Sequence, residues 1–494
     1  MPPWFARAPS AGWVRLAALI GVVGVLYANS LQNDFVWDDR LTALDPGSIG
    51  QILARPTGSY YRPVVMLTFK FDRFLWNASP VGYHLTNLAG HIAVAWLLGA
   101  YARTLGMSAG MSLSASLLFA AHPVQTEAVT YISGRTDILC ALFVLLALLA
   151  WSRACKGSDR FAGASAAALC LALLSKESAV GVPLVLLAPG TNRTGRSPRP
   201  LLPLAVSAAC FAARPHVDAS ASLAGLGHRL PAVGIAALTY LRLLIWPNDL
   251  HLERFTGVGG WSIGQGVAAW VVVIGLGLGL LYVARRVPGG LVLLALSAAT
   301  YLPASGAVPV YGSIADRALF TPEHFLYLPL LGLAPLAAGG VTAFTPARLQ
   351  PVLPIALAAL LIVWGNIVIA RNRDWKSEES IFRHTLRYDP PAARVWFNLG
   401  NLELAAGNLD EARRLFLAAL ARDPRDVAIH FNLAIVHQRL GAYADAEGEY
   451  ERTIELDPGL VEAYRALAAL LAARGEIGRA EEVLRRGLGK ETRN

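Results

Sequence analysis

Between residues 13 and 370 the chain returns repeatedly to apolar runs long enough, or nearly long enough, to cross a bilayer. They fall at about 13–31, 83–102, 107–121, 137–152, 161–175, 178–189, 200–213, 262–284, 289–304, 324–343 and 350–370, so about eleven spans are expected. The rest of the composition agrees, with 55% apolar and 16% charged residues. A further run at 230–247 would break the alternation of sides if it spanned. It reads instead as an interfacial or re-entrant helix ended by Trp246-Pro247.

Charge separates two parts. From Pro391 onward 14 Lys and Arg face 16 Asp and Glu, a net of −2, while the preceding residues carry +11. Basicity confined to the apolar part points to lipid phosphate, not nucleic acid. Arg7 and Arg15 precede or open the first run, Asp34, Asp38 and Asp39 follow it, and no cleavage site intervenes, which predicts an uncleaved anchor with a cytoplasmic N-terminus. The cytoplasmic connections then hold Arg103, Arg153, Lys156, Arg160, Arg193, Arg196, Arg199, Arg285, Arg286 and Arg348. Six cations fall on the opposite side: Arg62, Arg135, Lys176, Arg242, Arg254 and Arg317. They defy the positive-inside trend, and an anionic ligand is one candidate to compensate them. The four cysteines, Cys140, Cys155, Cys170 and Cys210, form no CxxC and read as unpaired.

The C-terminal part repeats every 34 residues: Pro390, Pro424 and Pro458; Gly407, Gly441 and Gly475; Ala412, Ala446 and Ala480. That period predicts three tetratricopeptide helix-turn-helix units with a leading helix, over 375–494, behind a membrane domain at 1–374. Asn398 and Asn432 occupy equivalent positions of the first two units, where amides can bond a bound peptide; the third equivalent is Ala466.

The chemistry centres on Phe35-Val36-Trp37-Asp38-Asp39, directly after the first span. A carboxylate shielded by Trp37 suits a general base or a metal ligand at a sugar-transfer site, and the alternative is two solvated loop acids. His84, Asn87 and His91 share one helical face, Asn87 and His91 as interhelical bonds and His84 as a ligand contact. Glu127, Tyr131 and Arg135 follow His122-Pro123 at i, i+4 and i+8, with an internal Glu127–Arg135 or Arg135–Asp137 pair as the competing reading. Lys176-Glu177 and Glu323-His324 complete the set. No P-loop, GxGxxG, HExxH or GxSxG is present, which removes support for a nucleotide-driven motor or a soluble hydrolase.

In order and spacing these stretches resemble the transmembrane and tetratricopeptide-repeat O-mannosyltransferases, a branch of the GT-C glycosyltransferases. The resemblance is carried by Phe35–Asp39, Tyr61-Arg62-Pro63, His84–Asn87 with His91, His122–Val129, Ser133–Asp137, Ser175–Ser178, Phe325–Pro329 and the repeats. It implies an all-α polytopic membrane helix bundle followed by a tetratricopeptide α-solenoid. It further implies an inverting transfer of a hexose, mannose foremost, from a polyprenyl-phosphate carrier to a protein Ser/Thr hydroxyl. Asp38 would be the base, supported by Asp39, with Glu127 a second acid or a ligand for a divalent metal. Arg62, Arg135, Lys176 and His324 would hold the lipid phosphate, and His84, His122, Asp137, Glu177 and Glu323 would line the lipid-phosphate and sugar site. The family usually has Glu-Arg where this chain has Glu323-His324, which puts one phosphate contact in doubt.

The partners expected are the lipid-linked sugar, an acceptor protein on the repeats, and the bilayer. A bacterial inner membrane, an undecaprenyl-type carrier and periplasmic repeats are the expected setting. The rival readings are the same enzyme class acting on an envelope glycan or lipid, and a non-catalytic scaffold.

Overall fold

The computed structural model describes residues 11–54, 61–156, 160–187, 201–212, 226–257, 261–307 and 318–491. Arg7, Tyr60, Arg193, Arg196, Arg199 and Arg317 lie outside the described residues. The chain forms two compact units, one ending at Ser377 and the other starting at Glu378.

In the first unit α1 (Ala11–Tyr27) leads through a short turn to α2 (Asp39–Thr42), α3 (Ile49–Ala54), α4 (Pro63–Trp76) and α5 (Pro80–Thr104). There follow α6 (Ala109–Ala121), α7 (Thr126–Thr130), α8 (Arg135–Ala154), α9 (Arg160–Leu173), α10 (Val182–Val185), α11 (Leu201–Ala212) and α12 (Leu226–Ile245). Strand β1 (Phe255–Gly257) precedes α13 (Ile263–Ala284) and α14 (Gly290–Tyr301). Strand β2 (Ala318–Phe320) precedes α15 (Leu330–Phe344) and α16 (Leu353–Asp374). The strands pair antiparallel, Thr256 opposite Leu319. Local sequence sets several of the starts. Pro80 opens α5 where an amide N–H is dispensable, Ser108 caps α6 by accepting from the Met111 N–H at 3.2 Å, and Ser262 with Gln265 closes a capping box on α13.

α5, α6, α8 and α15 pack around Val94, Leu98, Phe119, Leu145, Leu148 and Leu331, all fully or nearly fully buried. α13 and α16 are the opposite case: apolar along their length yet mostly exposed, with Ile263 at 83% and Ile355 at 69%. Apolar surface on that scale belongs against lipid, and the chain is an integral membrane protein. Among the described residues five helices are long and apolar enough to cross a bilayer: Gly12–Gln32, Pro80–Thr104, Ile132–Ala154, Ile263–Ala284 and Ala347–Asp374. Four shorter apolar helices, Ala109–Ala121, Arg160–Leu173, Gly290–Ala304 and Leu330–Phe344, accompany them. Among the described residues nine apolar helices therefore stand against the eleven runs expected. The run at 178–189 becomes a 3-10 turn, Glu177–Gly181, and the four-residue α10.

The expectation of four unpaired cysteines is corrected. Cys170 on α9 and Cys210 on α11 form a disulfide with Cα atoms 6.1 Å apart, because these helices pack side by side. Cys140 and Cys155 are buried and take no part in that bond.

The second unit opens with α17 (Glu378–Leu386) and continues as three helix pairs: α18 (Ala393–Ala406) with α19 (Leu409–Leu420), α20 (Val427–Arg439) with α21 (Tyr443–Leu456), and α22 (Val461–Ala473) with α23 (Ile477–Glu491). The repeating alanines and aromatics form its core, with Ala412 and Phe416 in the first pair and Ala446 and Tyr450 in the second. The 34-residue glycines have a backbone reason: Gly407, Gly441 and Gly475 sit at φ of 83°, 79° and 82°. A Cβ in that left-handed region costs roughly 1–2 kcal/mol. Gly441→Ala is expected to destabilise the repeats by about that amount. Hydrogen exchange should speed up in α20 and α21 and stay unchanged in the membrane unit.

Candidate functional site

The turn after α1 turns its two acids in opposite directions. Trp37 adopts φ +56°, an unusual conformation for a bulky residue, and the chain leaves it with Asp38 exposed and Asp39 fully buried. The Asp39 carboxyl lies 2.6 Å from Ser133 Oγ and accepts from the Ser133 N–H at 2.8 Å and the Val36 N–H at 3.1 Å. Ser133 Oγ lies 2.8 Å from Thr42 Oγ1, whose proton goes to the Asp38 carbonyl at 2.8 Å. Ser133 Oγ donates to Asp39, whose two oxygens also take the Ser133 and Val36 N–H groups, so the row holds the carboxyl in place. Burial pushes the Asp39 carboxyl up to about 7, against the Ser133 and Val36 donors that favour its ionised form, with the Asp38 charge adding to the rise.

A pH dependence follows. Folded Asp39 keeps its proton to about pH 7, whereas the unfolded side chain releases it near 4. The native state therefore binds more protons across that window, and stability falls as pH rises through it. Asp39→Asn is expected to flatten this slope in thermal-unfolding midpoints measured from pH 4.5 to 8.

Glu127, Tyr131 and Arg135 do not share one helical face. A 3-10 turn (Pro123–Gln125), α7, an extended Tyr131 and a second 3-10 turn (Ile132–Gly134) separate them. Tyr131 stacks on Trp375, ring centroids 5.2 Å apart. Arg135 pairs with neither Glu127 nor Asp137. Its guanidinium meets Asp72 at 2.6 Å, donates to Asn87 at 2.7 Å and covers the Phe69 ring. Asp137 instead accepts both of its bonds from Lys176, at 2.7 and 2.8 Å, and Lys176 Nζ lies over Phe325. Arg62 forms a two-armed ion pair with Glu177. Burial alone would raise the Glu177 carboxyl, but the Arg62 charge and hydrogen bonds, with Lys176, hold it at about 2. Three cations expected to meet a phosphate each have an acid of their own. Arg135 and Lys176 are buried, and Arg62 keeps 19% of its side chain exposed.

Around α7 and β2 a second cluster gathers. Glu127 accepts from the His324 N–H at 2.9 Å and meets His324 Nδ1 at 2.9 Å. Burial raises the Glu127 carboxyl, but the His324 charge and hydrogen bonds, then Arg371, bring it below its ordinary value. The neighbouring Glu323 is fully buried, accepts from the His251 N–H, and lies 3.6 Å from Arg371 and 3.7 Å from Arg254. Burial and the Glu127 charge push it up to about 7 against those two guanidiniums.

His84 and His122 are buried and committed to backbone carbonyls: His84 Nε2 to Asn33 at 3.2 Å, His122 Nε2 to Leu244 at 3.0 Å. Asn87 also donates to the carbonyls of Tyr131 and Ile132, and His91 joins Tyr327 Oη to the Ala120 carbonyl. Among the described residues no group of three or more His, Cys, Asp and Glu is arranged to hold a metal ion. In the repeats Asn432 donates to Asn401 at 2.7 Å.

Sequence reasoning missed Asp72, Thr42, Asn372 and Arg371, and gave Ser133 no role. Asn372 takes the Thr130 hydroxyl at 2.6 Å and donates to the Leu26 carbonyl and Asn29, tying the ends of α1 and α16 to α7. The one available signal was a run of polar residues, Arg371 to Asp374, closing an apolar helix.

The family described as dolichyl-phosphate-mannose-protein mannosyltransferase matches residues 78–216, and the tetratricopeptide-repeat family matches 379–427, 397–461 and 431–492. The first match falls on part of the membrane unit and the second on the repeats. Protein O-mannosyl-transferase TMTC3 of Homo sapiens is 25% identical to it, over 90% of this chain and 55% of that protein. Tmtc1 of Drosophila melanogaster is 29% identical, over 85% and 62%, and TMTC4 of Mus musculus 26%, over 82% and 66%. The chain spans about half the length of the first of these relatives. A crystal structure of MamA covers 37% of this chain and 97% of its own at 17% identity and a TM-score of 0.23, too slight a likeness to carry an argument. The mannosyltransferase-type match takes in His84, His122, Glu127, Arg135, Asp137, Lys176 and Glu177. Asp38, Asp39, Arg62, Glu323 and His324 lie beyond it.

Proposed function

We propose that this chain is a membrane glycosyltransferase that moves a hexose, mannose foremost, from a polyprenyl-phosphate carrier to a protein Ser/Thr hydroxyl. The observation that carries the reading is the turn that exposes Asp38 beside a buried, hydrogen-bonded Asp39. Asp38 takes the proton of the acceptor hydroxyl, the oxygen attacks the anomeric carbon from the face opposite the phosphate, and the polyprenyl phosphate leaves with inversion. Arg62 is the cation placed to meet that phosphate, since it stays partly exposed beside Glu177 whereas Arg135 and Lys176 are buried. His84, His122, Asp137, Glu177 and Glu323 then shape the site from behind. The Glu127–His324 pair and Arg254 and Arg371 beside Glu323 bring charge to the place where the family's arginine is missing.

The repeats bind the acceptor protein and raise its effective concentration at the site, with Asn398, Asn401 and Asn432 on the face that receives it. The setting is a bacterial inner membrane, with a cytoplasmic N-terminus and with the acid pair and the repeats periplasmic. The test is sugar transfer by purified protein in lipid, supplied with radiolabelled polyprenyl-phosphate-hexose and an envelope extract. Label on a protein band supports the reading, label on glycan or lipid keeps the enzyme and replaces its acceptor, and no transfer with several donors removes the enzyme.

A further inference from the structure

The backbone at Trp37, φ +56°, is one that a bulky residue keeps only where its surroundings hold it. α2 supplies part of the hold. The Asp38 carbonyl accepts from the Leu41 and Thr42 N–H groups at 3.1 and 2.9 Å, and from the Thr42 hydroxyl at 2.8 Å. The rest comes from the end of α16 and the peptide after it, more than 300 residues along the chain. The Asn372 carbonyl takes the Asn33 amide at 2.8 Å, and the Lys376 carbonyl takes the Asp34 N–H at 3.1 Å. Between those two carbonyls in the sequence stands Trp375, 1% exposed.

Trp375 reaches the acid pair through one residue. Its indole stacks on the Tyr131 ring, with centroids 5.2 Å apart and planes 21° from parallel. The Tyr131 hydroxyl reaches the Asp38 backbone and the Ser133 side chain, and Ser133 in turn holds Asp39. Burial, then the Asp39 and Asp38 charges, push that phenol well above its ordinary range, so it stays neutral. The Asn87 amide donates to the Tyr131 carbonyl at 3.3 Å and fixes the backbone behind the ring. The Arg371 guanidinium, which faces Glu323, lies 5.5 Å from the centre of the Trp375 ring. The buried indole N–H meets no acceptor among the described residues, so this position uses the flat ring and not the donor.

We propose that Trp375 is a positioning residue: by stacking on Tyr131 it fixes the turn at Trp37 and so aims the Asp38 carboxylate. The proposal rests on the reading of Asp38 as the base of transfer. A base must stand within hydrogen-bond reach of the acceptor hydroxyl, and an exposed carboxylate takes its direction from the backbone that carries it. Trp375 is buried and acts without touching the acceptor.

The test is steady-state transfer by the full chain in lipid, with radiolabelled polyprenyl-phosphate-hexose as donor and an envelope extract as acceptor. Trp375→Ala is expected to lower kcat about tenfold or more and to leave the donor KM within about twofold, as misplacement of a reacting group does. Trp375→Phe keeps a flat ring and is expected to recover kcat to within about threefold of wild type. In the Asp38→Asn background no base is left to aim, so Trp375→Ala should change the residual rate by less than about twofold. A further loss of about tenfold in that background would show a general structural fault and overturn the proposal. Wild-type kcat in Trp375→Ala, with transfer lost in Asp38→Asn, would overturn it while the base reading stands. Wild-type transfer in Asp38→Asn would overturn the base and its positioning together. Tyr131→Phe covers the case of a Trp375→Ala chain that fails to fold. It removes only the hydroxyl and should lower kcat about threefold with the unfolding midpoint unchanged. An unchanged kcat there would overturn the link through Tyr131.

Discussion

Asp38→Asn is expected to lower hexose transfer by about 10²- to 10⁴-fold, the usual contribution of a positioned general base. Donor binding should change little, because the amide keeps the size of the carboxylate. Asp39→Asn should cost far less. Asp39 is buried, and that burial holds its carboxyl towards the neutral form. An amide there keeps an acceptor for the Val36 N–H and gives up the bond from the Ser133 N–H, a loss in stability more than in transfer. Single-turnover transfer from a radiolabelled polyprenyl-phosphate-hexose, in lipid and across pH, separates the two variants. Equal losses would mean that Asp39 works as an anion. Retained transfer in Asp38→Asn would remove the base from this turn altogether.

The largest effect on stability is expected at Asp72. Asp72→Ala leaves the Arg135 guanidinium 1% exposed without its carboxylate, and stranding a buried charge costs about 3–5 kcal/mol. Asn87 and the Tyr83 carbonyl remain as acceptors but do not offset a full charge. The double variant Asp72→Ala with Arg135→Met should recover much of the loss, since an apolar replacement of a buried pair is often close to neutral. Denaturant unfolding of the purified protein in detergent reads all three variants. A surface pair supplies the control: Asp410→Ala removes the exposed Arg413 contact and should shift stability by less than ~1 kcal/mol. A single Asp72→Ala variant as stable as wild type would show that Arg135 relaxes towards water.

The amino-acid sequence by itself determined the features that repeat or that depend on near neighbours. The 34-residue glycines each need a left-handed backbone, so their spacing alone located the helix pairs. The long apolar runs announced a membrane protein because an 18-residue apolar stretch has few other stable environments. The acid pair was legible because it stands directly behind the first span. Tertiary structure alone decided which charge meets which. Arg135 had two acids close by in the chain, Glu127 and Asp137, and instead met Asp72, because α4 folds back across the starts of α5 and α8. Cys170 found Cys210 through the packing of α9 on α11. Which aspartate faces outward likewise depended on the backbone at Trp37 and on Ser133, 94 residues beyond Asp39. A residue's type sets what it can bind, but its partner depends on which way the packed helices turn their faces, and that is a property of the whole fold.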